Sequence, residues 1–203
     1  MASIRQTKMK EKNLERRKAF WPEVPDNEFY DPKKSPGFTS VPRTMPLIMS
    51  IIDDLTSGKP AGFVYFELWM RTYEERCVKL SDKEAHAFHC GYGGQRATQT
   101  WKSRITALEN LGFILTTEGS TGMSNIAIPH PHIVLKRLYD NNQPGLVKRK
   151  YNALVEHGLD WGMKDVNWDP KTDGDLKSYQ PDVSVLFSSP PSTPKAVIPP
   201  TKK

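Results

Sequence analysis

The sequence predicts a mainly α-helical domain with one small β-hairpin, an α+β class, followed by a helical C-terminal extension. Three observations carry this expectation. From Thr44 onward, apolar residues recur at helical spacing in several separate runs. Between residues 113 and 128, two β-capable runs flank a loop with two glycines, which reads as a hairpin. Most of the 17 prolines lie towards the two ends, so the middle of the chain is free to build a core.

Residues 1–43 form an N-terminal arm. Its first 18 residues are rich in Lys and Arg with scattered Glu, which suits a short solvated helix or a flexible segment. The stretch FWPEVPDNEFYDPKKSPGFTSVP then mixes aromatics with prolines that remove backbone donors and restrict their predecessors. It is too apolar for a free linker.

The domain spans residues 44–128. TMPLIMSIIDDLTSGKP places Leu47, Ile48, Ile51, Ile52 and Leu55 on one helical stripe, ended by Gly58 and Pro60. AGFVYFELWMRTYEERC continues with Val64, Leu68 and Tyr73 at helical spacing, interrupted by the polar Glu67. VKL, residues 78–80, is a short extended piece. Ser81, with Glu84 three residues on, has the spacing of a capping box and opens a short helix that Gly91, Gly93 and Gly94 break. A longer helix, 95–111, puts Ala97, Trp101, Ile105 and Leu108 on its apolar side. Gly112 is placed to end it in the left-handed conformation. FILTTE and MSNIAI are the hairpin strands, closed by Pro129 and Pro131.

Residues 129–163 carry two more helices, with apolar positions Ile133, Leu135, Leu138 and Tyr139, then Leu146, Tyr151, Leu154 and Val155. Residues 164–203 read as a largely disordered tail, Pro, Ser and Lys-rich without periodicity at its end, with VSVLF as a docking candidate.

Composition bounds function only loosely. A formal charge of +6 and a pI near 9.2 are compatible with a nucleic-acid partner and do not demand one. Cys77 and Cys90 lack CxxC spacing and make no disulfide framework, which suits a reduced, intracellular setting. The basic start has no apolar signal core, and no run is long enough for a membrane span. A cytoplasmic location is expected, nucleoid-associated if DNA is bound.

Enzymatic chemistry finds no support. GYGGQ fits neither GxGxxG nor the Walker loop, and no Cys–His pair has a third group to orient it. No catalytic residue and no cofactor are expected. His86, His89 and Cys90 form an HxxHC cluster that His130 or His132 could complete. Structural zinc sites usually draw tighter ligand pairs from two separate segments, so no metal is expected.

The order helix, helix, short strand, helix, turn, longer helix, hairpin resembles a winged helix-turn-helix domain. The resemblance covers residues 44–128, and its most recognisable phrase is ITALENLGFI, residues 105–114. It implies that helix 95–111 reads double-stranded DNA in the major groove. The face this implies is Gln95, Gln99, Lys102, Ser103 and Thr106, with Arg96 at the N-terminal flank. Gln suits adenine, Arg and Lys suit guanine or phosphate, and Ser and Thr serve either. Trp101 belongs to the core side, and Arg104 to its margin.

One departure stands out at the wing. TTEGSTGMSN has no Lys or Arg and carries Glu118, which leaves Ser120, Thr121 or backbone groups for any contact there. Arg5, Lys8, Lys10, Lys12, Arg16, Arg17 and Lys18 of the arm are placed to track phosphates instead. A homodimer through the helices at 131–157 is the expected assembly. The implied function is a transcriptional regulator or plasmid maintenance factor of prokaryotic or mobile-element type. A protein-interaction module and a replication-initiator component are the alternatives.

Overall fold

The computed structural model describes residues 4–31, 34, 37–72, 75–119 and 122–180. The chain divides into two compact units, at Ser40 and Val41. The described residues hold seven helices and one three-stranded antiparallel sheet.

The first unit contains α1 (Ile4–Phe20) and a 3-10 turn (Asp26–Glu28). Charge surrounds α1 on all sides, so it presents no apolar stripe for packing. Its end is held locally instead. Arg17 pairs with Asp26 and lays its guanidinium 4.1 Å from the centroid of the Phe29 ring. Lys18 approaches the same carboxylate at 3.3 Å.

The second unit carries the core. In order come α2 (Met45–Leu55), α3 (Gly62–Met70), β1 (Cys77–Lys79), α4 (Lys83–His89), α5 (Ala97–Asn110), β2 (Leu115–Gly119) and β3 (Gly122–Ala127). Then follow α6 (Pro131–Asp140), α7 (Lys148–Asp160) and a 3-10 turn (Asp165–Asn167). From α2, Met45, Ile48, Ile51 and Ile52 are buried, while Leu47 and Leu55 pack at its margin. Tyr73 lies outside the described residues.

The sheet order is β1-β3-β2, with β3 in the centre. Val78 of β1 opposes Ile126 of β3, and both are buried. Leu115 of β2 opposes Ala127, with a register shift between Thr117 and Glu118. Phe113 and Ile114, fully buried, anchor the chain just before β2. The small sheet therefore closes one side of the helical core.

Two expectations need correcting. Ser81 is not the cap of α4; Asp82 is, and its Oδ1 accepts from the Glu84 and Ala85 amides at 3.0 and 2.9 Å. Asp82 has the extended backbone of an N-cap, which lets its carboxylate face the free amides of the first turn.

The chain also stays ordered past residue 164. Val166 is fully buried, and Tyr151 donates to Asn167 Oδ1 at 2.8 Å. Arg137 grips the Asp169 carboxylate, with Nη2 donating to Oδ1 at 2.7 Å. Tyr179 donates to the Asn167 carbonyl. A few long-range polar bonds and one valine fix this segment, and none of them leaves a periodic trace. Residues 181–203, VSVLF included, lie outside the described residues.

Candidate nucleic-acid interface

The turn before α5 explains the glycines of GYGG. Gly91 follows α4 with φ +80°, and its amide donates to Phe88 O while Tyr92 N donates to Ala87 O. Together these two bonds make a Schellman motif, which needs a left-handed residue at the position of Gly91. The same device ends α5. Gly112 has φ +79°, Gly112 N donates to Glu109 O, and Phe113 N donates to Leu108 O. Leu108 and Phe113, both fully buried, supply the accompanying apolar contact.

Helix α5 is pinned by one face. Trp101, Ile105 and Leu108 are fully buried, as their phase requires. The opposite side presents Gln95, Arg96, Gln99, Lys102 and Thr106 to solvent, with Ser103 half-buried beside them. Gln95 and Arg96 precede the first helical residue, and Arg96 occupies the N-cap position without a side-chain cap. Helical phase puts Gln99, Lys102, Ser103 and Thr106 on one side of α5, and Gln95 and Arg96 are exposed just before its first turn. Thr106 donates to the Lys102 carbonyl at 3.1 Å, which leaves its oxygen free to act only as an acceptor.

Arg104 does not join that surface. Its guanidinium lies 5.6 Å from the centroid of the Tyr92 ring, and Nη1 donates weakly to the Thr100 carbonyl at 3.4 Å. It covers an aromatic margin of the core.

Beneath α5 the buried Glu67 and His86 form a polar pair, flanked by the more exposed Arg71 and His89. Glu67, in the middle of α3, accepts from Arg71 and from His86 Nδ1, the latter at 3.2 Å. Arg71 also donates to His89 Nδ1 at 2.5 Å. Burial opposes ionisation of Glu67, yet the bonds from His86 and Arg71 prevail and hold its carboxyl below the usual range. An ionised carboxylate only accepts, so His86 Nδ1 carries the proton of that bond. The polar interruption at Glu67 and the His86–His89 spacing are the traces of this cluster in the sequence, which does not show that they meet.

These partners account for His86 and His89 of the HxxHC run. Cys90 is buried, and burial pushes its thiol up to about 12. His130 and His132 converge elsewhere, on Asp165, at 3.1 and 2.8 Å. That second cluster joins the start of α6 to the turn after α7, a separation of more than 30 residues that sequence spacing does not show.

The hairpin is tied back to α5. Thr116 of β2 donates to Glu109 near the helix end, and Asn125 donates to Thr117 Oγ1 at 3.2 Å. Glu109 is thus spent on structure. Ser120 and Thr121, the expected contact residues of the tip, lie outside the described residues. In the first unit, Lys8, Lys10, Lys12 and Arg16 are exposed on α1, while Arg17 and Lys18 are engaged with Asp26. No helix among the described residues is long and apolar enough to cross a membrane. No protein-family model, no curated protein and no solved structure matches this chain.

Proposed function

We propose that residues 44–128 form a winged helix-turn-helix unit and that the protein binds double-stranded DNA through α5. One observation carries the reading: α5 buries Trp101, Ile105 and Leu108 and leaves Gln95, Arg96, Gln99, Lys102 and Thr106 exposed. A helix held rigidly by one face, with adenine- and guanine-competent side chains on the other, suits major-groove reading. The order α4, glycine turn, α5, hairpin, with β1 added to the sheet, supports the same unit. Arg96 at the N-cap of α5 makes no side-chain cap bond, so its guanidinium is left for a phosphate beside the positive end of the helix. Transcriptional regulation or plasmid maintenance is the proposed role.

The test is a selection of bound duplexes followed by Gln99→Ala combined with Lys102→Ala. Affinity for the selected duplex falls at least tenfold at moderate salt if α5 is the reader. Unchanged affinity rejects the proposal.

A homodimer belongs to this proposal, with a narrower basis. Tyr151, Leu154, Val155 and Leu135 are buried within the chain's own core, which leaves Val147 and Trp161 as the large exposed apolar residues around α7. Light scattering across a range of concentrations measures the association directly.

A protein-interaction role is the rival reading, and Phe88 favours it. This side chain is 75% exposed on α4, with Phe63 exposed on α3. DNA binding that ignores sequence and vanishes at modest salt supports the rival.

A further inference from the structure

We propose that His130, His132 and Asp165 form a binding site for one divalent transition-metal ion, with Zn²⁺ the best chemical match. Each residue offers one ligand atom, and the three atoms lie within 4.8 Å of one another. His130 Nε2 and His132 Nδ1 approach the same carboxylate oxygen, Asp165 Oδ2, at 3.1 and 2.8 Å. Ligand atoms about 2 Å from a common ion in a tetrahedral shell stand roughly 3.3 Å apart, and the two His–Asp distances fall just short of that, so a small shift of Asp165 away from the imidazoles makes room for the ion.

The frame around these atoms is fixed. Pro131, at the first turn of α6, separates the two histidines, and their ring centroids are 5.3 Å apart. His132 is 1% exposed, and its other nitrogen, Nε2, lies 2.8 Å from the buried Thr44 hydroxyl. A metal-binding histidine is characteristically oriented by a partner on its second nitrogen, and Thr44 fills that position. Asp165 comes from the turn after α7. Burial opposes its charge, but bonds from His130 and His132 hold it well below the carboxylate range.

The donor set selects the ion. Two imidazoles and one carboxylate suit Zn²⁺, Fe²⁺, Co²⁺ or Ni²⁺, whereas Mg²⁺ and Ca²⁺ favour all-oxygen shells. His130 is 42% exposed, so the ion reaches the site from solvent, and a water completes the shell on that side. Binding ties the Thr44 corner of α2, the start of α6 and the turn at 165–167 into one unit.

Untagged full-length protein is titrated with ZnCl₂ and CoCl₂ by calorimetry, visible spectroscopy and thermal unfolding, with MgCl₂ as the control. One ion per chain is expected, with a Co²⁺ absorption band of low coordination number. Saturating Zn²⁺ raises Tm by roughly 5 °C at a hundredfold excess over Kd, while Mg²⁺ does not. His130→Ala, at the exposed ligand, and Asp165→Asn each weaken Zn²⁺ binding at least a hundredfold. His130→Ala that folds with unaltered far-ultraviolet dichroism keeps the test valid should Asp165→Asn unfold. No stoichiometric binding, or equal affinity in folded His130→Ala, overturns the site and leaves a hydrogen-bonded triad.

Discussion

The His86 imidazole lies stacked on the Trp101 indole, with ring centroids 5.5 Å apart and planes at 24°. This contact joins α4 to α5 and sets the buried Glu67 cluster directly behind the proposed reading helix. Trp101 is fully buried and its Nε1 has no hydrogen-bond partner among the described residues. Its contribution is therefore packing. Trp101→Ala is expected to cost about 3–5 kcal/mol of stability, through lost burial and the cavity left behind. Trp101→Phe is expected to cost much less, since it also removes an unsatisfied donor. Urea unfolding measures both, and a loss under about 1 kcal/mol for Trp101→Ala contradicts the placement.

Acid should weaken the docking of the C-terminal segment. Hydrogen bonds from Arg137 lower the Asp169 carboxyl from its ordinary 3.8 to about 2 in the folded chain. Stability from this pair is fully present above about pH 4 and is lost as pH falls through 2, because the unfolded carboxyl protonates first. Asp169→Asn removes that dependence. Urea unfolding at several pH values should show the gap between wild type and Asp169→Asn closing between about pH 4 and pH 2. A gap that stays constant over this range contradicts the pairing.

Gly158 faces Val166 too closely for any larger residue. A Cβ at Gly158 falls 2.2 Å from Val166 Cγ1, within the packed seam between α7 and the 165–167 turn. Gly158→Ala should destabilise by about 1–3 kcal/mol through overpacking. Val166→Ala opens a cavity alone, yet the double variant should be less damaged than the sum, by at least 0.5 kcal/mol. Strict additivity in a double-mutant cycle counts against this seam.

The cap of α4 separates two neighbouring residues. Asp82→Ala should cost about 1 kcal/mol, because two amides of the first turn lose their acceptor. Ser81→Ala should fall within about 0.5 kcal/mol of wild type, as expected of an exposed side chain without that role. The reverse order in thermal unfolding restores the capping box expected at Ser81.

On the proposed DNA surface, the exposed side chains have distinguishable roles. Lys102→Ala should lower the slope of log affinity against log salt by about 1, since it removes one phosphate neutralisation. Gln99→Ala should relax base preference in a duplex selection while leaving that slope unchanged. Equal effects of both variants on slope and preference would falsify the division.

The apolar face of α5, the order of elements across residues 44–128, the glycine break after α4 and the left-handed turn at Gly112 were legible in the linear pattern. These are local: a 3.6-residue repeat fixes which side chains share a face, and a short glycine turn is written in adjacent residues. Most of the remaining features depend on contacts between distant residues. The cap passed to Asp82 because backbone conformation chooses between two adjacent candidates. The segment past residue 164 docks through Tyr151–Asn167, Arg137–Asp169 and His132–Asp165, pairs up to 33 residues apart. Such pairs have no period, so nothing in the linear pattern separates them from the polar residues of a free tail. The buried Glu67 and the meeting of His130 with Asp165 arise in the same way, because ionic bonds that compensate burial form only once the chain has folded.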